Sequence, residues 1–271
     1  MSAPLWSEAG DGWELRRGEA LLARCSPGSH LSPEHAPRPF LHPVRTLGGR
    51  DLTADAPVDH PHHHGLSFAV SSVNGTTFWG GRTYVRGVGS TMLANHGTQR
   101  VLAAELDGGV LRQRLAWRDP DGATLLTEER TLTARLTEAG WELGWDSDLT
   151  AATDLLVESS ATKGRAGAGY GGIFWRFPVL PDAAVVTTAD ATGEDGVHGS
   201  TSPWLRVEDA GAWRVTLTRT GPTFPWFVRA AGYAGAGPAL AFAAPLALAA
   251  GATVRLGLVA DLADAPPTPA P

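Results

Sequence analysis

Four of the nine histidines fall within five residues, in the run Asp59-His60-Pro61-His62-His63-His64-Gly65, and two more, His42 and His96, flank that run. Imidazole titrates near neutral pH, so it can carry a proton in either direction, and its neutral nitrogen ligates transition metals. Both chemistries are open for this run. An extended conformation, which Pro61 favours for the residue before it, would point His60, His62 and His64 one way and His63 the other. Asp59 could fix the tautomer of a neighbouring imidazole and raise its basicity. The chain has no HExxH pattern, so a metal would need ligands from separate segments, with His60 and His62 joined by His42 or His96. The sequence requires no cofactor. A solvated, histidine-rich turn is the plain alternative.

Glu128 and Arg130 share the apolar face of one segment with Leu126 and Leu132, where a charge is costly unless it is paired or lines a cavity. Either they form a structural pair, or Glu128 is a general acid or base raised by burial and Arg130 a substrate contact. Ten tryptophans are many for this length. Most should be core, but Trp79, just downstream of the histidines, and Trp226 could offer flat faces to a sugar ring. Gly167-Ala168-Gly169-Tyr170-Gly171-Gly172 fits GxGxxG in form, but prolines interrupt the segment after it, and a dinucleotide site needs a helix there. The run reads as a loop that brings Tyr170 and Arg176 towards a pocket.

The elements that must position these residues are strands. With 33 glycines and 20 prolines spread through 271 residues, long helices would be interrupted repeatedly while turns are well supplied. Leu126, Glu128, Arg130, Leu132 and Ala134 alternate with polar residues, as do Trp141, Leu143, Trp145, Ser147 and Leu149, and Glu138-Ala139-Gly140 fits a hairpin turn between them. Further strands are predicted at 13–17, 20–26, 66–72, 99–105, 110–118, 154–160, 173–177, 212–218, 226–229 and 253–261. The apolar stretch from Ala239 to Ala250 reads as core strand material. The expectation is an all-β fold, a large antiparallel β-sandwich forming one domain over 1–263, with a disordered proline-rich tail at 264–271.

A net charge of −6 without a basic run offers nothing to a nucleic-acid backbone. No apolar stretch is long enough to span a bilayer, and no secretory signal is visible at the start. With Cys25 alone, no intrachain disulfide can form, and a cytoplasmic location fits. Free sheet edges could pair in a homodimer.

Arg38-Pro39-Phe40, His42-Pro43, Asp59-His60-Pro61-His62-His63 with Gly65, and Phe78-Trp79-Gly80 together resemble a bacterial family labelled PmoA-like. The similarity continues through His96-Gly97, Glu128 with Arg130, Gly169-Tyr170-Gly171-Gly172 with Arg176, and Pro225-Trp226 with Arg229. It departs at His64, where the family usually has Arg, and at Thr220-Gly221-Pro222-Thr223-Phe224. The label alludes to a membrane oxygenase subunit, which a chain without an apolar span does not match. The resemblance implies a sandwich of the galactose-mutarotase-like kind and a place in bacterial sugar catabolism.

Together these readings predict a carbohydrate-active protein with a small-molecule sugar or oxidised sugar as partner. As an enzyme of lyase, epimerase or hydrolase type it would use His60, His62, His63 and Glu128 for proton transfer. His42, Asp59, His64, Trp79, His96, Arg130, Tyr170, Arg176 and Trp226 would form the rest of the pocket. The rivals are a non-catalytic sugar-binding protein and a histidine-ligated metal-dependent oxygenase or hydrolase.

Overall fold

A computed structural model describes residues 2–180, 184–209 and 211–265. Two eight-stranded sheets dominate, and every pairing between their strands is antiparallel. The first sheet runs, edge to edge, Leu5–Ala9, Gly12–Arg17, Ala20–Ser26, Phe40–Val44, Leu66–Ala69, Gly172–Arg176, Gly235–Pro238, Trp226–Arg229. The second runs Ala184–Thr188, Trp204–Asp209, Trp213–Thr220, Thr253–Asp264, Gly140–Ala151, Thr124–Leu136, Val110–Arg118, Thr98–Asp107. Inward side chains of both sheets meet in one apolar core that includes Leu15, Phe68, Trp117, Trp141, Trp145, Ile173, Trp175 and Leu258. This is the large antiparallel sandwich expected from the alternation of residue types.

The pattern is clearest in the hairpin Thr124–Leu136 and Gly140–Ala151, where Leu132 pairs with Trp145 and Leu126 with Ala151. The turn closes where expected, with Thr137 N–H donating to the Gly140 carbonyl at 3.0 Å. Elsewhere the sequence expectations need correction. Residues 66–72 do not form one strand: Leu66–Ala69 stays in the first sheet, while Ser72–Val73 joins a small three-stranded sheet with Leu155–Glu158 and Leu246–Leu248. The stretch from Ala239 to Ala250 contributes only Leu246–Leu248 as a strand, because its alanines provide little β-branched bulk and the chain turns at residues 240–244. Asp264 ends the last strand and accepts a hydrogen bond from Gly48 N–H at 2.8 Å, so the expected tail does not begin there. Residues 266–271 of that tail lie outside the described residues. No helix among the described residues is long and apolar enough to cross a membrane.

What positions the site is the outer face of the first sheet. Along Leu66–Ala69 and Gly172–Arg176, Leu66, Phe68, Ile173 and Trp175 enter the main core, so the residues between them project the other way. Ala69, Phe174 and Phe227 thereby form a second buried cluster with Trp79 and Ala239, and Tyr170, Tyr233 and Phe242 pack against it. A face that would ordinarily meet water is instead an aromatic floor, covered by loops from several parts of the chain.

Candidate functional site

The histidine run lies over this floor, and its backbone is a turn. His63 N–H donates to the His60 carbonyl at 2.9 Å, which places Pro61 at the second position of a four-residue turn, where its fixed φ is favoured. An extended segment would have grouped His60, His62 and His64. The turn instead gathers His60, His62 and His63: the His60 and His63 rings stack at 4.7 Å, and His62 and His63 meet edge-on at 4.7 Å. Gly65 ends the run at φ +42°, where a Cβ would stand 2.0 Å from the Leu41 carbonyl oxygen, so only glycine lets the chain enter the sheet here.

Two further residues hold the turn from below. Arg38 is buried and donates to the carbonyls of His62 (2.9 Å), His35 (2.7 Å) and Ala36 (3.2 Å) and to Ser67 Oγ (3.1 Å). Burial pulls its guanidinium down to about 10, so it remains a cation at neutral pH. Gly81, at φ +68°, lies flat against His62, whose ring atoms would be 2.9 Å from any added Cβ. His96 Nε2 donates to the Gly81 carbonyl at 2.8 Å and so pins the loop that carries Trp79, Gly81 and Arg82.

A pocket of about 370 Å³ opens beside the turn. Asp59, His60, His62, His63, Trp79, Arg82, Ser90, Arg165, Ala166, Ala168, Tyr170, Phe227, Arg229 and Tyr233 line it. Tyr233 packs on His60 at 4.7 Å between ring centres, Trp79 lies 4.5 Å from Tyr170, and His63 meets Trp79 edge-on at 5.4 Å. The Tyr170 hydroxyl is held by Ser160 Oγ at 2.7 Å.

The imidazoles are not equivalent. Burial, with the nearby Arg38 and His60, holds His62 down to about 3, and burial followed by His62 and His60 pushes His63 further below the ordinary imidazole value. Both are therefore neutral at pH 7, each with one nitrogen able to accept a hydrogen bond. His60 Nδ1 lies 2.8 Å from Asp59 Oδ2, and the hydrogen bond from His60 holds the Asp59 carboxyl below its usual range. An ionised carboxylate can only accept, so His60 donates from Nδ1, which leaves Nε2 for the pocket.

These neutral imidazoles give stability a pH dependence. In the unfolded chain they titrate near their ordinary value of 6.5, so the unfolded state binds more protons than the fold below that pH, and stability falls as pH drops from about 6.5 towards 3. Unfolding at pH 5 is expected to take up about two protons from His62 and His63 alone, with the urea midpoint well below its value at pH 7.5. Equal midpoints at the two pH values would refute neutral burial of the pair.

Several residues expected at the site are elsewhere. Glu128 and Arg130 lie in the interior of the second sheet with no side-chain exposure, joined by Arg130 Nε to Glu128 Oε1 at 2.8 Å. Trp117 Nε1 (2.8 Å) and Ser147 Oγ (2.5 Å) also donate to Glu128, and the Arg130 guanidinium lies over Trp145. They form a structural pair, because both side chains follow the inward register of their strand. Trp226 is wholly buried and donates to the Ser202 carbonyl at 2.8 Å, while its neighbour Phe227, in the opposite register, faces the pocket. His42 leaves the cluster to bond Thr53 Oγ1 at 3.0 Å. His64 turns away to Asp55, with Nδ1 2.6 Å from Oδ1, and meets His35 Nδ1 at 3.2 Å on its other side. Arg176 lies just behind the lining, 3.8 Å from Asp59 and over the Tyr233 ring. The suggested metal set of His60 and His62 with His42 or His96 is not assembled. Among the described residues, no three His, Cys, Asp or Glu side chains are grouped to hold a metal ion.

The sequence reading missed Tyr233, Phe227, Arg82 and Arg165 as pocket residues. Only Phe227 carried a usable signal, since placing Trp226 in the core puts its neighbour on the outer face. The glycine-rich run at 167–172 leads into the strand Gly172–Arg176 and not into a helix, as read from the prolines after it.

Fold and site thus define a class: a two-sheet antiparallel sandwich with an aromatic, histidine-bearing pocket on the outer face of one sheet. The chain belongs to a family of unknown function, DUF6807, which it matches over residues 12–270. No curated protein is similar to it in sequence. Among solved structures it is similar to an Escherichia coli K12 protein described as a "putative aldose 1-epimerase", at 11% identity and a TM-score of 0.37, covering 96% of this chain and 99% of the other. A likeness of that strength carries no argument about the reaction.

Proposed function

We propose that the protein binds a small sugar or sugar acid in this pocket and acts on it by proton transfer between imidazoles and substrate, as in an epimerase, lyase or hydrolase. One observation carries the reading: a single cavity of about 370 Å³ brings His60, His62 and His63 against Trp79, Tyr170, Phe227 and Tyr233. Aromatic faces pack against the C–H surface of a sugar ring, and the polar edges of tyrosine and tryptophan reach its hydroxyls. His60, oriented by Asp59, is the imidazole placed to take up and relay a proton, while neutral His62 and His63, whose burial opposes protonation, can accept hydrogen bonds from substrate hydroxyls. With Glu128 in the core, proton transfer passes to the histidine cluster, and first to His60.

The test is a calorimetric screen of monosaccharides, aldonates and uronates, followed by NMR of each binder after prolonged incubation. Ala166, exposed on the pocket wall, is the control: Ala166→Trp fills the mouth and is expected to weaken binding at least about tenfold without loss of stability. Binding without any product would favour a non-catalytic sugar-binding protein. Absence of any sugar ligand would overturn the proposal.

A further inference from the structure

We infer that the ligand of this pocket carries a carboxylate, so that a sugar acid and not a neutral sugar is its proper occupant; the inference rests on the reading above and narrows it. Three arginines, Arg82, Arg165 and Arg229, line the cavity against a single carboxylate, Asp59. Asp59 is already engaged by His60 at 2.8 Å and lies 3.8 Å from the Arg176 guanidinium behind the wall. That guanidinium is itself buried, and its Nε and Nη1 have no hydrogen-bond partner among the described residues. The lining therefore carries a surplus of positive charge in a chain whose net charge is −6, and a cleft of one sign concentrates ligands of the other.

The three arginines are placed differently. Arg229 is anchored: it pairs with Glu194 at 3.3 Å, donates to the Gly167 carbonyl and stacks over Phe227. Arg82 makes one long bond, to the Ser90 carbonyl at 3.3 Å. Arg165 sits on the glycine-rich loop with no side-chain acceptor among the described residues. Arg82 and Arg165 thus keep most of their donors for a ligand, and the planar fork of guanidinium matches a carboxylate in bidentate fashion. A phosphate is the less suited anion, because the usual cradle of backbone N–H groups at a helix start is missing: the α-helix among the described residues, Glu194–Val197, has four residues and opens with two acids. Neutralising a carboxylate also eases removal of the proton on the adjacent carbon, a task for the His60 imidazole that Asp59 orients.

The experiment compares, on the wild-type chain, a hexuronate, the matching neutral hexose and the matching hexose phosphate by calorimetry. The uronate is expected to bind at least about tenfold tighter than the hexose, with the difference shrinking between about 0.05 and 0.5 M salt. Arg165→Gln and Arg82→Gln, both on loop positions, are expected to reduce the acid-to-neutral affinity ratio several-fold. A hexose that binds as well as the uronate, a phosphate that binds better than it, or a ratio unmoved by both variants would overturn the inference while leaving sugar binding itself in place. Failure of all three ligands, and of the wider sugar screen, would instead remove the reading on which it rests.

Discussion

Glu128→Ala is expected to lower stability by about 3–5 kcal/mol and to leave sugar affinity at the pocket unchanged. The carboxylate accepts from Arg130 through Nε at 2.8 Å and Nη2 at 2.9 Å, from Trp117 Nε1 at 2.8 Å and from Ser147 Oγ at 2.5 Å, all without exposure to water. Removing it leaves a buried guanidinium without a counter-charge and an indole N–H without an acceptor, and each costs far more than the lost attraction alone. Glu128→Gln keeps the shape and some of the acceptor capacity, so it should lie between wild type and Glu128→Ala. Denaturant unfolding of the three proteins, with calorimetry on the folded fraction, reads both effects. Near-normal stability combined with lost turnover would return Glu128 to the catalytic role its position in the sequence first suggested.

The same residue shows how far the sequence could be read. Alternation placed Glu128 on the inward face of its strand correctly, but an inward face is common to a core and to a cavity wall, and the difference depends on what neighbouring strands supply. Here the two adjacent strands of the same sheet supply Trp117 and Trp145, which close over Glu128 and Arg130. The histidine run shows the reverse case: its residue types marked the site, and local geometry decided which three rings converge. Pro61 permits either an extended segment or a turn, and the hydrogen bond from His63 to His60 selects the turn. The sandwich itself was legible because period-two patterns and turn residues are local signals. Short strands such as Phe40–Val44, Gly235–Pro238 and Trp204–Asp209 were not, since glycine, proline and mixed polarity hide the alternation. Tyr233 and Arg165 reach the pocket from glycine- and alanine-rich loops, where no periodicity predicts direction; tertiary contacts, among them the packing of Tyr233 on His60 and of Arg229 against Gly167, bring those loops to the site.

His60→Gln is expected to reduce turnover of the sugar ligand by about 10²–10⁴-fold with little change in folding. The side chains of His60 and Asp59 are 33% and 53% exposed, so neither substitution opens a cavity or strands a buried charge. Glutamine can still donate a hydrogen bond, but it cannot exchange a proton near neutral pH, which separates orientation from proton transfer. Asp59→Asn tests the second link. An amide in place of the ionised carboxylate no longer fixes Nδ1 as the donor, so the wrong tautomer becomes populated, and turnover should fall by less than in His60→Gln. Because Asp59 acts through His60, the double variant should be no slower than His60→Gln alone. Losses that multiply would mean that Asp59 touches the substrate independently, and full turnover in His60→Gln would leave proton transfer to His62 and His63. The first result would keep the reacting centre at Asp59 and His60, and the second would move it inward, onto the two imidazoles that burial keeps neutral.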